Sequence, residues 1–261
     1  RGFNKGWKQK YYESALSVYQ KRTKPPVTSR RKSSPKPPAI SRSKSDGNSP
    51  QQIPKSEMLP KSENKSAKSI PKVIHQIWIG GDIPILQALY MNTMRQMKGW
   101  KYKFWGNESL HEKNFPKTWK YIQKSLQKGR DAGNEKKRYA QVVDLMRLEV
   151  LQRHGGVYVD TTVEALNNFN ALINNKYHNF IVSNEDPCGF DCRGYQNKKY
   201  ISNSFIASSK NNPLFKRLFD DLKNIDFNST RINVETGPYF LGRNLTEDDY
   251  VTMLPMGMIY P

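Results

Sequence analysis

The sequence contains no run of about 18 apolar residues, roughly the shortest length of helix that crosses a bilayer. It also has no segment with the pattern of a secretory signal peptide. We therefore expect no transmembrane segment between its first and last residues. Because the sequence begins at Arg1 and not at Met, we expect a fragment or a processed form, and an anchor upstream of Arg1 stays open.

Cysteine is also scarce, and one glycine motif is missing. Cys188 and Cys192 are the only two cysteines, too few to complete a four-ligand structural zinc site. Two free thiols and a small disulfide loop are about equally consistent with the pair, so it indicates no redox compartment. The pattern G-x-G-x-x-G is missing after the first predicted strand, which argues against a dinucleotide-dependent dehydrogenase.

Large apolar residues are few, and the shortage is concentrated at the start of the chain. Hydrophobic residues make up 36% of the sequence, a low share for a globular protein. Residues 1–69 contain 17 of the 43 basic residues but only 4 of the 23 acidic ones, so they carry +13 of the net charge of +20. We therefore divide the chain into a basic segment, 1–69, and a globular domain, 70–261.

The basic segment is dominated by Pro, Ser, Lys and Arg from residue 21 onward. This composition buries too little apolar surface to offset the entropy of ordering the chain, so we expect most of the segment to be disordered. Residues 1–20 have apolar side chains near helical spacing and are a candidate short helix. A solvated linker is the favoured interpretation of the segment, and weak contact with an anionic surface or a nucleic acid is the alternative.

From Ile70 onward, predicted strands alternate with predicted helices. Dense β-favouring runs bounded by turn residues indicate strands, and apolar residues at helical spacing indicate helices. The pattern predicts an α/β domain with a mostly parallel sheet flanked by helices, in which a ligand binds beyond the carboxyl ends of the strands. The predicted strands are 73–79, 100–105, 157–159, 179–183 and 203–207, and the predicted helices are 85–97, 116–128, 136–154 and 213–224.

The first candidate site segment is the strand that ends at Trp78 and the Gly80-Gly81 turn. Glycines in such a turn let the backbone approach a ligand closely, and an indole ring beside the turn can stack on a flat base. From composition alone, a core position for Trp78 is the more common outcome. His75 lies in the middle of the same strand, where a hydrogen-bonded core histidine is more common than a ligand.

The second candidate segment combines a helix with the strand that follows it. Asp144 and Arg147 are three residues apart and share one face of the predicted helix, within an apolar stretch where an unpaired charge is costly. Asp160 follows three apolar residues and is expected at the strand tip, where a carboxylate suits a hard cation that bridges a diphosphate. An ordinary intrahelical ion pair and a turn-forming Asp are the alternatives.

Together these segments resemble a known family. Ile70-Pro-Lys-Val-Ile-His-Gln-Ile-Trp-Ile-Gly-Gly81, Asp-x-x-Arg at 144–147 and Gly-Gly-Val-Tyr-Val-Asp at 155–160 are similar to glycosyltransferases with a DXD-containing sugar-binding region. That group includes yeast initiating mannosyltransferases, bacterial capsular polysaccharide transferases and, more distantly, glucosylating clostridial toxins. The segments 235–238 and 254–261 resemble later parts of the family, so the likeness covers the chain from Ile70 to Pro261.

The resemblance implies a GT-A fold, a Rossmann-like mostly parallel sheet flanked by helices. It implies transfer of a hexose from a nucleoside-diphosphate sugar to a glycan or protein acceptor, with retention of anomeric configuration and with Mn²⁺ or Mg²⁺ as the metal. By the same resemblance, Trp78 stacks on the donor base, Asp144 binds the ribose or hexose, and Arg147 contacts the hexose or diphosphate. The implied catalytic residues are Asp160, Arg147 and Asp144, the implied donor-binding residues are Trp78, Ile77, Asp144, Arg147, Gly156 and Asp160, and the implied metal ligands are Asp160, Thr162 and Glu164.

One position departs from the family pattern. Thr162 replaces the second carboxylate of the DXD motif, and a neutral hydroxyl is a weaker ligand for a hard cation than a carboxylate. By strand alternation, Glu164 would lie on the same face as Thr162 and supply the missing charge. A nucleotide-binding module that no longer transfers sugar is therefore an alternative function.

Three further expectations are weaker. The polar residues within 184–191 are a candidate acceptor wall, although a solvated loop is the more common outcome. Glu235 and Gly237 are candidate site residues by resemblance only. Relatives usually continue past the segment that ends at Pro261 with a closing element, so here that element is absent or replaced. A polyanion-binding protein that acts through residues 1–69 is the remaining alternative function.

Overall fold

The computed structural model describes residues 69–174, 179–184, 200–246, 249 and 251–254. The basic segment up to residue 68 lies outside the described residues, and so do the cysteine pair, the loop beyond Asn184 that was a candidate acceptor wall, and residues 255–261. Within the described residues, no helix combines the length and the apolar composition that crossing a membrane requires.

The described residues form six strands and seven α-helices with short 3₁₀ turns between them. The strands are β1 (Val73–Ile77), β2 (Lys101–Trp105), β3 (Gly156–Val159), β4 (Phe180–Asn184), β5 (Ile201–Ser208) and β6 (Thr252–Leu254). The helices are α1 (Ile85–Arg95), α2 (Trp119–Asp131), α3 (Tyr139–His154), α4 (Asn170–Ile173), α5 (Leu214–Asp221), α6 (Ile232–Glu235) and α7 (Pro238–Asn244).

All six strands belong to one sheet, in the order β2-β1-β3-β5-β4-β6. Three of the five neighbouring pairs are parallel, whereas β5 runs antiparallel to both β3 and β4. The predicted α/β class with a mostly parallel, helix-flanked sheet is confirmed. The antiparallel direction of β5 was not predicted, because periodicity reports the presence of a strand but not its direction.

Helices cover both faces of the sheet, and alternate strand residues point to opposite faces. Tyr158 packs with α2, α3, α5 and α7 in the larger apolar cluster, whereas Val157 and Val159 pack with α1 and α4 in the smaller one. Residues of the central strand are therefore buried on both sides, as expected for a covered sheet.

Helix α3 differs from its predicted form in two ways. The predicted start at 136 belongs to a 3₁₀ turn, Glu135–Arg138, and the α-helix begins at Tyr139. The helix is also buried on most sides and not along a single stripe, since Gln141 and Glu149 are fully buried together with its apolar residues. This happens because α3 packs between the sheet and the helices outside it.

The turn from α3 into β3 requires both of its glycines. Gly155 has φ +63° and Gly156 has φ +101°, values that side chains with a Cβ rarely adopt. A Cβ at Gly156 would lie 2.4 Å from the carbonyl oxygen of Val73 on β1. The glycine pair therefore lets β3 start in close contact with β1, which fixes where the far end of β3 delivers Asp160.

Candidate functional site

Strand directions bring the two candidate segments together at one edge of the sheet. Strands β1 and β3 are parallel neighbours, so Trp78 and Asp160 follow adjacent carboxyl ends. A cavity of about 670 Å³ opens at this edge. It is lined by Ile77, Trp78, Ile79, Gly81, Asp82, Lys136, Tyr139, Ala140, Val143, Asp144, Arg147, Tyr158, Asp160, Thr161, Thr162, Asn203 and Asn233.

Helix α3 supplies the second wall of the cavity. Because α3 runs back along the sheet before the chain turns into β3, the first half of the helix lies at the edge where β3 ends. Tyr139, Val143, Asp144 and Arg147 line the cavity from residues 139–147 of the helix, at helical spacing that places them on one side.

Asp144 and Arg147 form a buried ion pair at the base of the cavity. Arg147 Nη2 lies 3.0 Å from Asp144 Oδ1, with only 5% and 7% of the two side chains exposed. Asp144 also accepts hydrogen bonds from the Asn203 amide at 2.9 Å and from the Thr236 hydroxyl at 2.8 Å. The guanidinium group donates to the carbonyl of Asn203 and lies over the Tyr158 ring, 4.4 Å from its centroid. These contacts hold the cation in one position.

Burial raises the pKa values of Asp144 and of the neighbouring Tyr158. Burial raises the pKa of Asp144 to about 6, against the opposing effect of Arg147 and of the Thr236 and Asn203 hydrogen bonds. The pKa of Tyr158 is raised well above 10, because burial disfavours its phenolate. At neutral pH the pair is thus ionised and Tyr158 is a neutral hydrogen-bond donor.

Asp160 lies where the two walls meet, with 32% of its side chain exposed. Its Oδ1 atom accepts a hydrogen bond of 2.5 Å from the Tyr158 hydroxyl and lies 3.5 Å from Arg147 Nη2. Its backbone is held by Gln76 Nε2, 3.2 Å from the carbonyl, and by the carbonyl of Ser204, 2.8 Å from the amide. Among the described residues these side-chain contacts all use Oδ1, which leaves Oδ2 for a ligand.

The Trp78 turn is held in place by backbone and side-chain hydrogen bonds. The Trp78 indole donates to the Gly81 carbonyl at 2.9 Å. Asn107 pairs with both backbone groups of Gly80, donating to its carbonyl and accepting from its amide at 2.8 Å each. A Cβ at Gly80 would lie 2.4 Å from the Tyr139 ring, so the glycine lets that ring pack against the turn. The half-buried indole thus faces the cavity on a rigid loop.

The structure does not bring every predicted site residue to the cavity. Gly156 lies at the opposite end of β3 from Asp160, and its role there is the close approach to β1. Strand β3 ends at Val159 and a turn follows, so strand alternation does not apply to Glu164. Glu164 does not line the cavity, whereas Thr162 does and is exposed there.

Neither weaker candidate from the 235–238 segment lines the cavity. The Glu235 carboxylate is buried and accepts a hydrogen bond of 3.0 Å from the Asp226 amide. Gly237 precedes α7, and a Cβ there would lie 2.8 Å from the Cα atom of Asn233. Thr236 between them does reach the site, through its bond to Asp144.

Sequence reasoning missed several residues that complete the site. Asn203 arrives because β5 is antiparallel to β3, so that the beginning of β5 lies at the edge where β3 ends. Tyr158 lies in the predicted apolar strand 157–159, and the structure brings its hydroxyl to Asp160. A polar residue near the start of a strand and a tyrosine two residues before a candidate Asp were the available signals. Lys136, Tyr139 and Asn233 gave no signal of this kind.

Comparison with known protein families identifies the family of this chain. The profile of the family described as capsular polysaccharide synthesis protein matches residues 25–241. The chain belongs to this family. An uncharacterized glycosyltransferase of Acanthamoeba polyphaga mimivirus is 27% identical over 184 residues. This match spans 68% of the chain and 65% of the relative, so about a third of the relative has no counterpart in it. Membership of the capsular family agrees with the capsular branch of the resemblance described above.

Solved structures show more distant similarity. The PaToxG glycosyltransferase has a TM-score of 0.49 at 20% identity, covering 68% of this chain and 69% of the other. The UDP-bound glycosyltransferase domain of the YGT toxin has a TM-score of 0.37 at 12% identity, covering 59% and 62%. Identities this low carry no information about the substrate of this chain.

Proposed function

We propose that this family member is a glycosyltransferase with a GT-A type fold, which transfers a hexose from a nucleoside-diphosphate sugar to a glycan or protein acceptor. The observation that supports this most strongly is the single cavity that unites Trp78, Asp160 and the Asp144–Arg147 pair. The family description, polysaccharide synthesis, requires the joining of sugars. The 27% identical relative, itself called a glycosyltransferase, supports the same reaction class.

Two groups of residues that line the cavity differ in the chemistry they offer to such a donor. The first group is Trp78 with its neighbours Ile77 and Ile79, and its indole and aliphatic side chains suit a flat base. Asp160, Asp144 and Arg147 offer charged groups in the same cavity, which suit ribose hydroxyls and phosphate oxygens. The donor would therefore lie with its base at Trp78 and its diphosphate at Asp160.

The charges of the cavity fit a divalent cation bound with the donor. The lining contains three carboxylates, from Asp82, Asp144 and Asp160, against two cations, from Lys136 and Arg147. A diphosphate would enter a site without spare positive charge, so it needs a cation of its own. Asp160 Oδ2 is the carboxylate oxygen available to that cation, and Mg²⁺ is commonly held by one or two carboxylates together with substrate phosphates. When bound, Mn²⁺ or Mg²⁺ would neutralise charge on the leaving diphosphate.

The protein ligands for the cation would be few. Among the described residues, no group of three or more His, Cys, Asp or Glu side chains is placed to hold a metal. Asp160 is therefore the principal protein ligand in our proposal, with the Thr162 hydroxyl as a neutral second ligand. Glu164 would act only through a rearrangement of the turn after Asp160.

The chain's own residues contribute binding, orientation and charge stabilisation. Arg147 would stabilise negative charge on the departing diphosphate. Its position is fixed before the reaction, and a buried cation interacts with developing charge more strongly than one in water. Asp144 would hold Arg147 and accept hydrogen bonds from the sugar hydroxyls. Tyr158 would keep Asp160 in one orientation. Retention of anomeric configuration is the outcome that the family resemblance favours.

The test is release of nucleoside diphosphate from a panel of nucleotide sugars, with Mn²⁺ or with EDTA. We expect one donor to be consumed in a metal-dependent reaction, and Asp160→Asn to abolish it because the isosteric amide removes the charge. Asp131→Asn is the matched control, because Asp131 is exposed and bonds only to Gln127 among its described contacts. The anomeric configuration of the product, read by NMR, tests retention.

Binding of a nucleotide without turnover of any donor would contradict the transferase proposal. It would instead favour the sugar-nucleotide-binding module that Thr162 suggested. Recovery of turnover in Thr162→Asp would then locate the lost activity at the missing second carboxylate.

A further inference from the structure

A second cavity lies at the other end of the sheet. Its volume is also about 670 Å³. Gln152 and Asn211 border it and bond to each other, with the Asn211 amide 2.9 Å from the Gln152 carbonyl. Gln152 is near the end of α3, just before β3 begins, whereas Asp160 follows the end of β3. This cavity is therefore separate from the candidate donor site.

The lining of the second cavity is strongly basic. Four lysines border it, Lys117, Lys120, Lys216 and Lys223, against the single carboxylate of Asp220. All four lysines are exposed. Lys216 pairs with Asp220 at 2.8 Å, and within the described part of the chain the other three have no ion pair within 4.0 Å. Lysines gathered around one concavity repel each other, so an anionic ligand would relieve that repulsion.

Two half-buried aromatic rings stand among the lysines. Lys117 Nζ lies 5.0 Å from the ring centroid of Phe219, and Lys120 Nζ lies 4.8 Å from that of Tyr121. The Tyr121 ring stacks on Phe227, with 7° between the planes. The cavity thus presents ring surface and ammonium groups side by side, with side-chain amides at its border.

The floor under these lysines is rigid. The backbone amide of Lys117 donates to both oxygens of Glu149, at 3.0 and 3.1 Å. The next residue, Thr118, donates to the same carboxylate through its amide and its hydroxyl. Residues 117–121, which lead into α2 and carry Lys117, Lys120 and Tyr121, are therefore fixed through their backbone to the buried helix α3.

We propose that this second cavity binds an acidic carbohydrate chain, whose sugar rings bear carboxylate or phosphate groups. Ammonium groups would pair with the anions, ring faces would pack against the apolar faces of the sugars, and amides would bond to hydroxyls. A carbohydrate is favoured over other polyanions because the family is described as capsular polysaccharide synthesis protein. The site would hold a growing or acceptor polymer on the enzyme while the reaction proceeds at the far end of the sheet.

The role of holding a polymer during the reaction rests on the transferase proposal, whereas binding itself is tested without any donor, so the two can fail separately. The probes are short oligogalacturonides, neutral galactose oligomers of the same length, and inorganic polyphosphate, titrated calorimetrically into the full chain. We expect the oligogalacturonides to bind about tenfold or more tightly than the neutral oligomers, since charge-assisted hydrogen bonds exceed neutral ones.

Two variants separate charge from ring contact. Lys117→Gln/Lys120→Gln/Lys223→Gln should weaken oligogalacturonide binding about tenfold or more. A control triple, Lys72→Gln/Lys98→Gln/Lys101→Gln, removes the same charge from exposed lysines that line neither cavity, and it should bind like the unaltered chain. Phe219→Leu should weaken binding of the oligogalacturonides several-fold but leave polyphosphate binding unchanged.

Three results would overturn the proposal. Equal losses in the two triple variants would mean general attraction to a basic chain, including residues 1–69. Equal binding of the acidic and neutral oligomers would remove the role of charge. Binding of polyphosphate that is as tight as that of the oligogalacturonides, with no effect of Phe219→Leu on either, would identify a plain polyanion site.

Discussion

The two sides of helix α3 each bury a carboxylate, and the two carboxylates have different surroundings. Asp144 faces the candidate donor cavity and pairs with Arg147. Glu149, five residues later, is fully buried on the side toward α2. There it accepts hydrogen bonds from the amides of Lys117 and Thr118 and from the Thr118 hydroxyl, at 2.8–3.1 Å.

The difference shows that burial of a charge does not by itself indicate a functional site. Glu149 is satisfied by backbone groups at the start of a helix, where the helix dipole also favours an anion. Its role is to join α2 to α3. Asp144 holds a cation that lines a cavity, so a ligand can reach the pair. Only the partners, and the open space beside them, distinguish the two carboxylates.

The largest effect is expected on the cavity side, at Arg147. In Arg147→Lys the charge stays, but the planar fork that contacts Asp144, Asn203 and the Tyr158 ring is lost. We expect donor cleavage to fall by about 10²–10³-fold, with a loss of about 1–2 kcal/mol in the free energy of unfolding. Steady-state kinetics and denaturant unfolding measure the two quantities.

Arg153→Lys is the matched control for this change. Arg153 belongs to the same helix but donates to the backbone carbonyls of Lys113 and Asn114, away from the cavity. Its substitution should leave donor cleavage within about twofold of the unaltered chain. If Arg147→Lys and Arg153→Lys have the same activity, the cavity side of α3 has no special role.

The next largest effect is expected on the opposite side, at Glu149. Glu149→Gln places an NH₂ group against backbone donors, so we expect the free energy of unfolding to fall by about 2–3 kcal/mol. Activity per folded molecule should stay within about twofold, because the residue does not reach the cavity. Urea unfolding checks the first quantity. Glu112→Gln, at an exposed site, is the control and should change stability by less than about 0.5 kcal/mol.

Sequence alone could predict the strand ends that form the site. The apolar run before Asp160 and the Gly-Gly turn after Trp78 both mark where a strand stops. Parallel neighbours then bring the two residues to one edge, because the carboxyl ends of parallel strands meet there. The position of Asp144 and Arg147 on one helix face could equally be predicted, since it depends only on helical geometry.

The remaining features depend on tertiary contacts that local pattern does not encode. Asn203 reaches Asp144 only because β5 reverses direction, and strand periodicity is the same in both directions. Glu164 was expected to follow strand alternation, but the chain turns directly after β3. Gly156 was grouped with donor-binding residues because it is part of the quoted motif, although the structure shows that it serves the packing of β3 on β1.

The smallest expected effect concerns pH and compares Asp144 with His75. His75 is fully buried, donates from Nε2 to the Gly155 carbonyl at 2.9 Å, and accepts at Nδ1 from the Trp105 indole at 3.3 Å. Burial lowers the pKa of His75 from 6.5 to about 4, with nearby His154 and Lys103 acting in the same direction. Because the unfolded chain binds this proton more readily, stability is complete above pH 6.5 and is lost as the pH falls toward 4.

Acidification should therefore reduce activity and stability through different groups. Donor cleavage should fall below pH 6, where protonation of Asp144 removes the charge that holds Arg147. Stability should fall by about 1–2 kcal/mol between pH 7.5 and pH 5 through His75, partly offset by Asp144, whose raised pKa stabilises the folded state on acidification.

His75→Gln keeps a donor for the Gly155 carbonyl but cannot titrate, so it should lose less stability over this interval and keep the same pH profile of activity. An equal loss of stability in His75→Gln would show that the histidine is not the titrating group, and a shifted activity profile would show that the two ends of α3, next to His75 and at Asp144, are coupled.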